Sequence, residues 1–172
     1  MAKTTQVPRF VRLANVLTTT LLRAGFKLEG HPKNDRKRTY PMYLLTVRGR
    51  KSGQPRTFPL AIIERNEKRY VAAVYGVADW ARNLRAAKEA ILTRGRRSET
   101  VNAIELPVGE AALVLREDIK GGNPMSRYYG VTAESPLEEF ERAAVSHPVF
   151  LLEKKLPLSE SRSTIKGQHL FS

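Results

Sequence analysis

Three short apolar runs, Met42–Val47, Thr57–Ile63 and Tyr70–Tyr75, follow one another across connections too short to hold a helix. Parallel strands need a crossover of about a dozen residues or more, whereas antiparallel strands join through tight turns. The runs therefore read as an antiparallel meander, each bounded by Gly, Pro or charged clusters. A doubly wound parallel sheet is disfavoured on spacing alone. The first connection, Arg48–Arg56, is turn-like through Gly49, Gly53 and Pro55. The second, Arg65–Arg69, is a short polar hairpin link.

The flanks supply helices. Pro8 suits a first helical turn, and Phe10, Leu13, Leu17, Leu21 and Ala24 recur at three- and four-residue steps up to Gly25. That periodicity predicts a helix over 8–24 with one apolar stripe. Residues 30–41 read as a loop. Downstream, Asp79 is the expected N-cap of a helix over Trp80–Glu89. Strands Ala90–Thr93 and Glu99–Leu106 flank a turn at Arg94–Ser98. Helices follow over Val108–Ile119 and Pro136–Val145, the latter with Ser135 as cap and Glu138 completing a capping box. Pro148–Glu153 reads as a last strand, and the Ser-rich 157–172 as a flexible tail. The expectation is an α+β chain: a mainly antiparallel barrel over 41–153 with an N-terminal helix and intercalated helices, one domain spanning 1–156.

Composition narrows the chemistry. There is no cysteine, which removes disulfides, thiolate metal sites and thiol nucleophiles. Hydrophobic residues reach 41%, enough for a packed core. No apolar run approaches the roughly 18 residues of a membrane span, and the N-terminus lacks a signal-like apolar stretch, so the expected location is cytoplasmic. The formal charge is +13, and it is lopsided: residues 1–56 hold 13 Lys/Arg against Glu29 and Asp35. Such a face attracts nucleic acid, anionic lipid or a phosphorylated small molecule. Nucleic acid is the least supported, because the cluster from His31 to Pro41 interleaves only Tyr40 with its cations. Peripheral contact of the basic N-terminal third with an anionic membrane stays open, and so does a role for the Lys33–Arg38 cluster as solvated surface.

Catalytic templates are sparse. His31, His147 and His169 fall in no metal-ligand spacing, and neither a Walker A motif nor a nucleophile elbow occurs. Three features remain. The turn from Gly49 to Arg56 places Arg50, Lys51, Ser52 and Arg56 between two strands with two glycines. It suits phosphate binding, and equally a solvent-exposed hairpin turn. The segment Tyr75-Gly76-Val77-Ala78-Asp79-Trp80 leaves a strand and enters a helix, where an anion is favoured. Tyr75 and Trp80 suit a ring pocket, although Trp80 reads as well as core. Tyr128 and Tyr129 beside Gly130 suit the gate of a pocket or plain surface packing.

At these residues the chain resembles a known family. Leu44-Leu45-Thr46-Val47-Arg48-Gly49-Arg50-Lys51-Ser52-Gly53-Gln54-Pro55-Arg56-Thr57-Phe58-Pro59-Leu60 is similar to the opening of the deazaflavin-dependent nitroreductases. Asp79-Trp80-Ala81-Arg82-Asn83-Leu84 resembles their W-x-x-N-L helix, in the same order and spacing. The resemblance covers about residues 38–107 and implies a split β-barrel that binds the deazaflavin coenzyme F420. It further implies hydride transfer to an electron-poor acceptor of quinone, nitro or enone type. By the same resemblance, Arg50, Lys51, Ser52 and Arg56 lie near the coenzyme's phosphate and acidic tail. Backbone around Thr57, Phe58 and Pro59 meets the deazaflavin ring, and Tyr75, Gly76, Ala78, Trp80 and Asn83 complete the pocket. Tyr75 and Tyr128 are the candidates for orienting an acceptor. The segment 76–79 is shorter than in much of that family and carries no lysine. Alternatives on the same fold are FMN, haem or a fatty acid as ligand, or a non-enzymatic carrier. Either a monomer or a homodimer is compatible with the residues.

Overall fold

The computed structural model describes residues 9–30, 40–123 and 125–155. His31, His169, the Lys33–Arg38 cluster and the expected tail at 157–172 lie outside them, as do the side chains of Phe10 and Leu13. A helix α1 (Arg9–Arg23) leads into a two-residue strand β1 (Glu29–Gly30) and then β2 (Tyr40–Arg48), β3 (Pro55–Ala61), β4 (Ile63–Arg65) and β5 (Lys68–Ala72). Helix α2 (Asp79–Ala87), the hairpin β6 (Glu89–Arg94) and β7 (Arg97–Glu105), and helix α3 (Val108–Lys120) come next. A single 3-10 turn at Ser126–Tyr128, helix α4 (Leu137–Ser146) and strand β8 (Val149–Lys154) complete the order.

Every strand pairing is antiparallel, in the order β1-β2-β6-β7-β8-β5-β4, with β3 on the other edge of β2. Only Ile62 separates β3 from β4, so the two are one interrupted strand. Its first half pairs with β2 and its second half with β5, which curls the sheet back on itself. Ile62 is fully buried, and its N–H donates to the Pro41 carbonyl at 3.0 Å. This is the expected α+β antiparallel split barrel. The expected strand Thr57–Ile63 is corrected on one point: it breaks at Ile62, because one strand must serve two partners in two directions.

The period-two alternation sorts side chains into two cores. Tyr43, Leu45 and Val47 of β2 and Phe150 and Leu152 of β8 turn into the barrel, beneath Trp80, Ala81 and Leu84 of α2. Ala72, Ile63 and Val149 turn the other way and meet Leu115 and Ile119 of α3 and Phe140 of α4. Strand β5 stops at Ala72 rather than Tyr75. The Ala73 N–H donates to the Pro148 carbonyl at 3.0 Å, and Pro148 has no N–H with which to continue the ladder.

Three local readings change. The N-cap of α2 is Ala78, without a side-chain cap, and Asp79 is the first helical residue. Likewise α4 starts after Pro136, and the Ser135 hydroxyl instead accepts the Thr132 N–H at 3.2 Å. Helix α2 ends at Ala87 because Lys88 turns left-handed (φ 58°), leaving Glu89 to open β6.

Candidate functional site

The β2–β3 hairpin is built by its glycines. The Gly49 N–H donates to the Gln54 carbonyl and the Gly53 N–H to the Gly49 carbonyl, each at 2.8 Å. Gly53 sits at φ +67°, a left-handed conformation that a side chain disfavours. A Cβ on Gly49 would lie 2.9 Å from the Ser52 hydroxyl and 3.1 Å from the Gln54 carbonyl. The turn is therefore tight, and it carries Arg50 to the start of α2.

There Arg50 is locked by one amide. Asn83 is 5% exposed, and its Oδ1 accepts both the Arg50 backbone N–H at 3.2 Å and Arg50 Nη1 at 2.9 Å. Those two bonds use both lone pairs of the carbonyl oxygen. Arg50 Nη2 pairs with Asp79 Oδ1 at 3.2 Å, and Arg82 lies 3.7 Å from the same oxygen. Lys51 and Arg56 have no ion pair among the described residues.

A pocket of about 510 Å³ results, lined by Gly49, Arg50, Lys51, Ser52, Arg56, Thr57, Phe58, Asp79 and Asn83. Three cations face one carboxylate there, so the pocket favours an anion. The uncapped first turn of α2 adds to the same field. The Ser52 hydroxyl is partly spent inside the turn, accepting the Gln54 N–H at 3.4 Å.

The floor of the pocket is an edge strand. Among the described residues β3 pairs with β2 alone, so alternate N–H and C=O groups along it face away from the sheet. Pro55 and Pro59 fit this position, since proline is tolerated where no ladder N–H is needed.

The other expected site residues are placed apart from this pocket lining. Pro59 is buried within β3. Trp80 is 7% exposed and packs in the barrel core with its ring 6.1 Å from that of Phe150. Ala78 packs against the same core. Gly76 makes the turn out of β5 at φ +78°. Tyr75 and Tyr128 do meet, edge to face at 4.8 Å. Burial, then Tyr128, pushes the Tyr75 hydroxyl above its ordinary range, so at neutral pH it keeps its proton.

Two lining residues, Gly49 and Asp79, are not among the expected site residues. Asp79 read as a cap and is instead a ligand of Arg50. Nothing local distinguishes the two roles. His147 is structural, with Nδ1 2.9 Å from the Ala73 carbonyl and its ring against Tyr129. Among the described residues no group of His, Asp and Glu could hold a metal ion. No described helix is long and apolar enough to cross a membrane.

Comparison with known proteins bears on the same stretch. A solved structure described as an F420-H2 dependent reductase (FDR-A) is 25% identical, covers 65% of this chain and 93% of its own, and superposes with a TM-score of 0.48. Another, described as a domain-swapped dimer, is 22% identical over 84% of this chain and 97% of its own, with a TM-score of 0.49. A putative 5-nitroimidazole antibiotic resistance protein from Bacteroides thetaiotaomicron is 10% identical over 76% and 84%, with a TM-score of 0.46. No curated protein matches. The family model of the F420H(2)-dependent quinone reductases matches residues 25–137, a span that takes in the cationic hairpin, the edge strand, Asn83 and the Tyr75–Tyr128 pair. The chain belongs to the F420H(2)-dependent quinone reductase family.

Proposed function

We propose that the protein passes hydride from reduced coenzyme F420 to an electron-poor small molecule of quinone, nitro or enone type, and that the pocket at the β2–β3 hairpin is where the coenzyme binds. The family is one of F420H(2)-dependent reductases, so the enzyme class and the coenzyme follow from membership. The pocket's position is supported chiefly by one observation: among the described residues Lys51 and Arg56 have no ion pair, and they stand beside the start of α2. A polyanion is what such a cradle lacks.

The residues divide the work. Lys51 and Arg56 bind the phosphate and acidic tail, the first as a point charge and the second as a planar fork. Arg50 is held by Asn83 and Asp79, so it enters the complex already ordered and loses little rotamer freedom there. The outward backbone groups of β3 from Arg56 to Phe58 meet the deazaflavin ring. When bound, the coenzyme supplies the hydride, and the protein supplies binding, orientation and electrostatics. Tyr75 and Tyr128 orient the acceptor, with Tyr75 as a protonated hydroxyl donor.

The test is a fluorescence titration with oxidised and reduced F420, followed by turnover with a naphthoquinone and a nitroarene. The Arg50→Ala/Lys51→Ala double variant should bind the coenzyme more than about tenfold more weakly, since charge-assisted contacts are the strong ones. Absence of binding by the wild-type protein would sink the reading. Tyr128→Phe should leave coenzyme affinity unchanged and alter KM for the acceptor.

A further inference from the structure

The barrel carries a second cationic cavity at the opposite pole. In the β2–β6 register Thr46 pairs with Ile91 and Leu44 with Thr93, so β6 runs away from the Gly49 hairpin towards its own turn at Arg94–Arg97. That turn meets the exit of α1. Gly95 lies at φ +60°, and a Cβ on it would meet Lys27 Cε at 3.4 Å. The two segments enclose about 1080 Å³, roughly twice the volume of the hairpin pocket.

The charge on its walls is unbalanced. Lys27, Arg96, Arg97 and Lys154 line it, and none has an ion pair among the described residues. The one lining acid, Glu99, is already bound to Arg69. A fifth cation, Arg94, pairs with Glu29 and lies over the Tyr43 ring at 5.5 Å. Register makes the crowding worse, because Arg94 and Arg97 stand directly opposite each other across the hairpin. Like charges in that position repel.

We propose that this pole is a binding site for a ligand carrying linked phosphate groups. A single phosphate would leave most of these four cations uncompensated, whereas two or three linked groups match their charge. Arginine forks suit phosphate oxygens, and Arg96 and Arg97 supply two of them. Leu92 and the Tyr43 ring form an apolar floor beside the cations, with room for an organic group. The site stands independently of the coenzyme reading, since it shares no lining residue with the hairpin pocket. Linked phosphates have two sources, a soluble diphosphate or a membrane lipid whose headgroup joins two phosphates, and the chemistry is common to both.

Calorimetric titration of the full chain with inorganic pyrophosphate at low salt tests it. Because the hairpin pocket also attracts phosphate, the reference is the Arg50→Ala/Lys51→Ala variant: one pyrophosphate should bind per chain there, and adding Arg96→Ser/Arg97→Ser should weaken that binding at least about tenfold. Binding that survives Arg50→Ala/Lys51→Ala separates this pole from the hairpin. Circular dichroism verifies that the variant is folded, and Lys27→Ser/Lys154→Ser repeats the test from the other walls of the cavity. A second arm uses vesicles containing cardiolipin, whose headgroup links two phosphates through one glycerol: co-sedimentation that pyrophosphate competes away assigns the site to headgroups. Pyrophosphate binding without co-sedimentation assigns it to a soluble ligand. Absence of pyrophosphate binding by the Arg50→Ala/Lys51→Ala variant, or binding by it that neither Arg96→Ser/Arg97→Ser nor Lys27→Ser/Lys154→Ser weakens, overturns the proposal.

Discussion

Asn83 shows how much one amide can organise. It is buried, and a single carbonyl oxygen holds both the backbone and the guanidinium of Arg50, 33 residues away. Asn83→Ala should therefore cost about 1–3 kcal/mol in chemical denaturation, the usual penalty for stranding buried donors. It should also weaken F420 binding, although the side chain itself carries no charge. Lys51→Ala is the contrast. Lys51 is exposed and unpaired, so its removal should change stability by no more than about 0.5 kcal/mol. A large loss of coenzyme affinity with no loss of stability would mark Lys51 as a binding residue rather than a structural one. The cations of the hairpin were legible as candidate anion ligands from residue type and spacing. The partners of Arg50 were not, because Asp79 and Asn83 reach it only through packing of α2 on β2.

Elements show where periodicity misleads. The stripe Leu17, Leu21 and Ala24 marks α1 as a helix, and the helix is there at Arg9–Arg23. The residue it buries, however, is Leu22, at 1% exposure, while Leu17 is 62% exposed. A docked helix shows its core only a narrow contact, and the sequence alone does not say which turn makes it. Leu22→Ala should cost about 2–5 kcal/mol in thermal or denaturant unfolding, and Leu17→Ala about 0.5 kcal/mol or less. The strands were more legible because alternation and turn residues act locally. Gly49 adds a steric test at this scale. Gly49→Ala pushes a methyl against Ser52 and Gln54, so it should destabilise the hairpin by about 1–3 kcal/mol, as overpacking does. It should also lower coenzyme affinity through the displaced Arg50.

At the scale of the whole molecule, burial changes how the protein titrates. Burial is the leading cause that raises the Tyr43, Tyr75 and Tyr129 hydroxyls above their ordinary range. In the unfolded chain tyrosines ionise near pH 10. Above that pH the unfolded state sheds protons that the native state keeps, so stability present below pH 10 is lost as pH rises. Each such tyrosine contributes a slope of at most about 1.4 kcal/mol per pH unit. Tyr129→Phe should flatten the fall of melting temperature between about pH 10 and 11. It should cost little at pH 7, since among the described residues the buried Tyr129 hydroxyl has no hydrogen-bond partner.

The sequence by itself determined the antiparallel strands, the helices, the cationic hairpin and the family likeness. All of these rest on local chemistry: turn residues, two- and 3.6-residue periods, and the identity of charged groups. Tertiary structure alone decided that the third strand breaks at Ile62 to pair with two partners. It also decided that Asp79 serves Arg50 rather than capping its own helix, and that Trp80 belongs to the core. Only the folded chain divides the positive charge of the described residues between two poles of one barrel. A strand's second partner, and the neighbours of a charge across the sheet, are set by closure of the barrel, which no window of sequence contains.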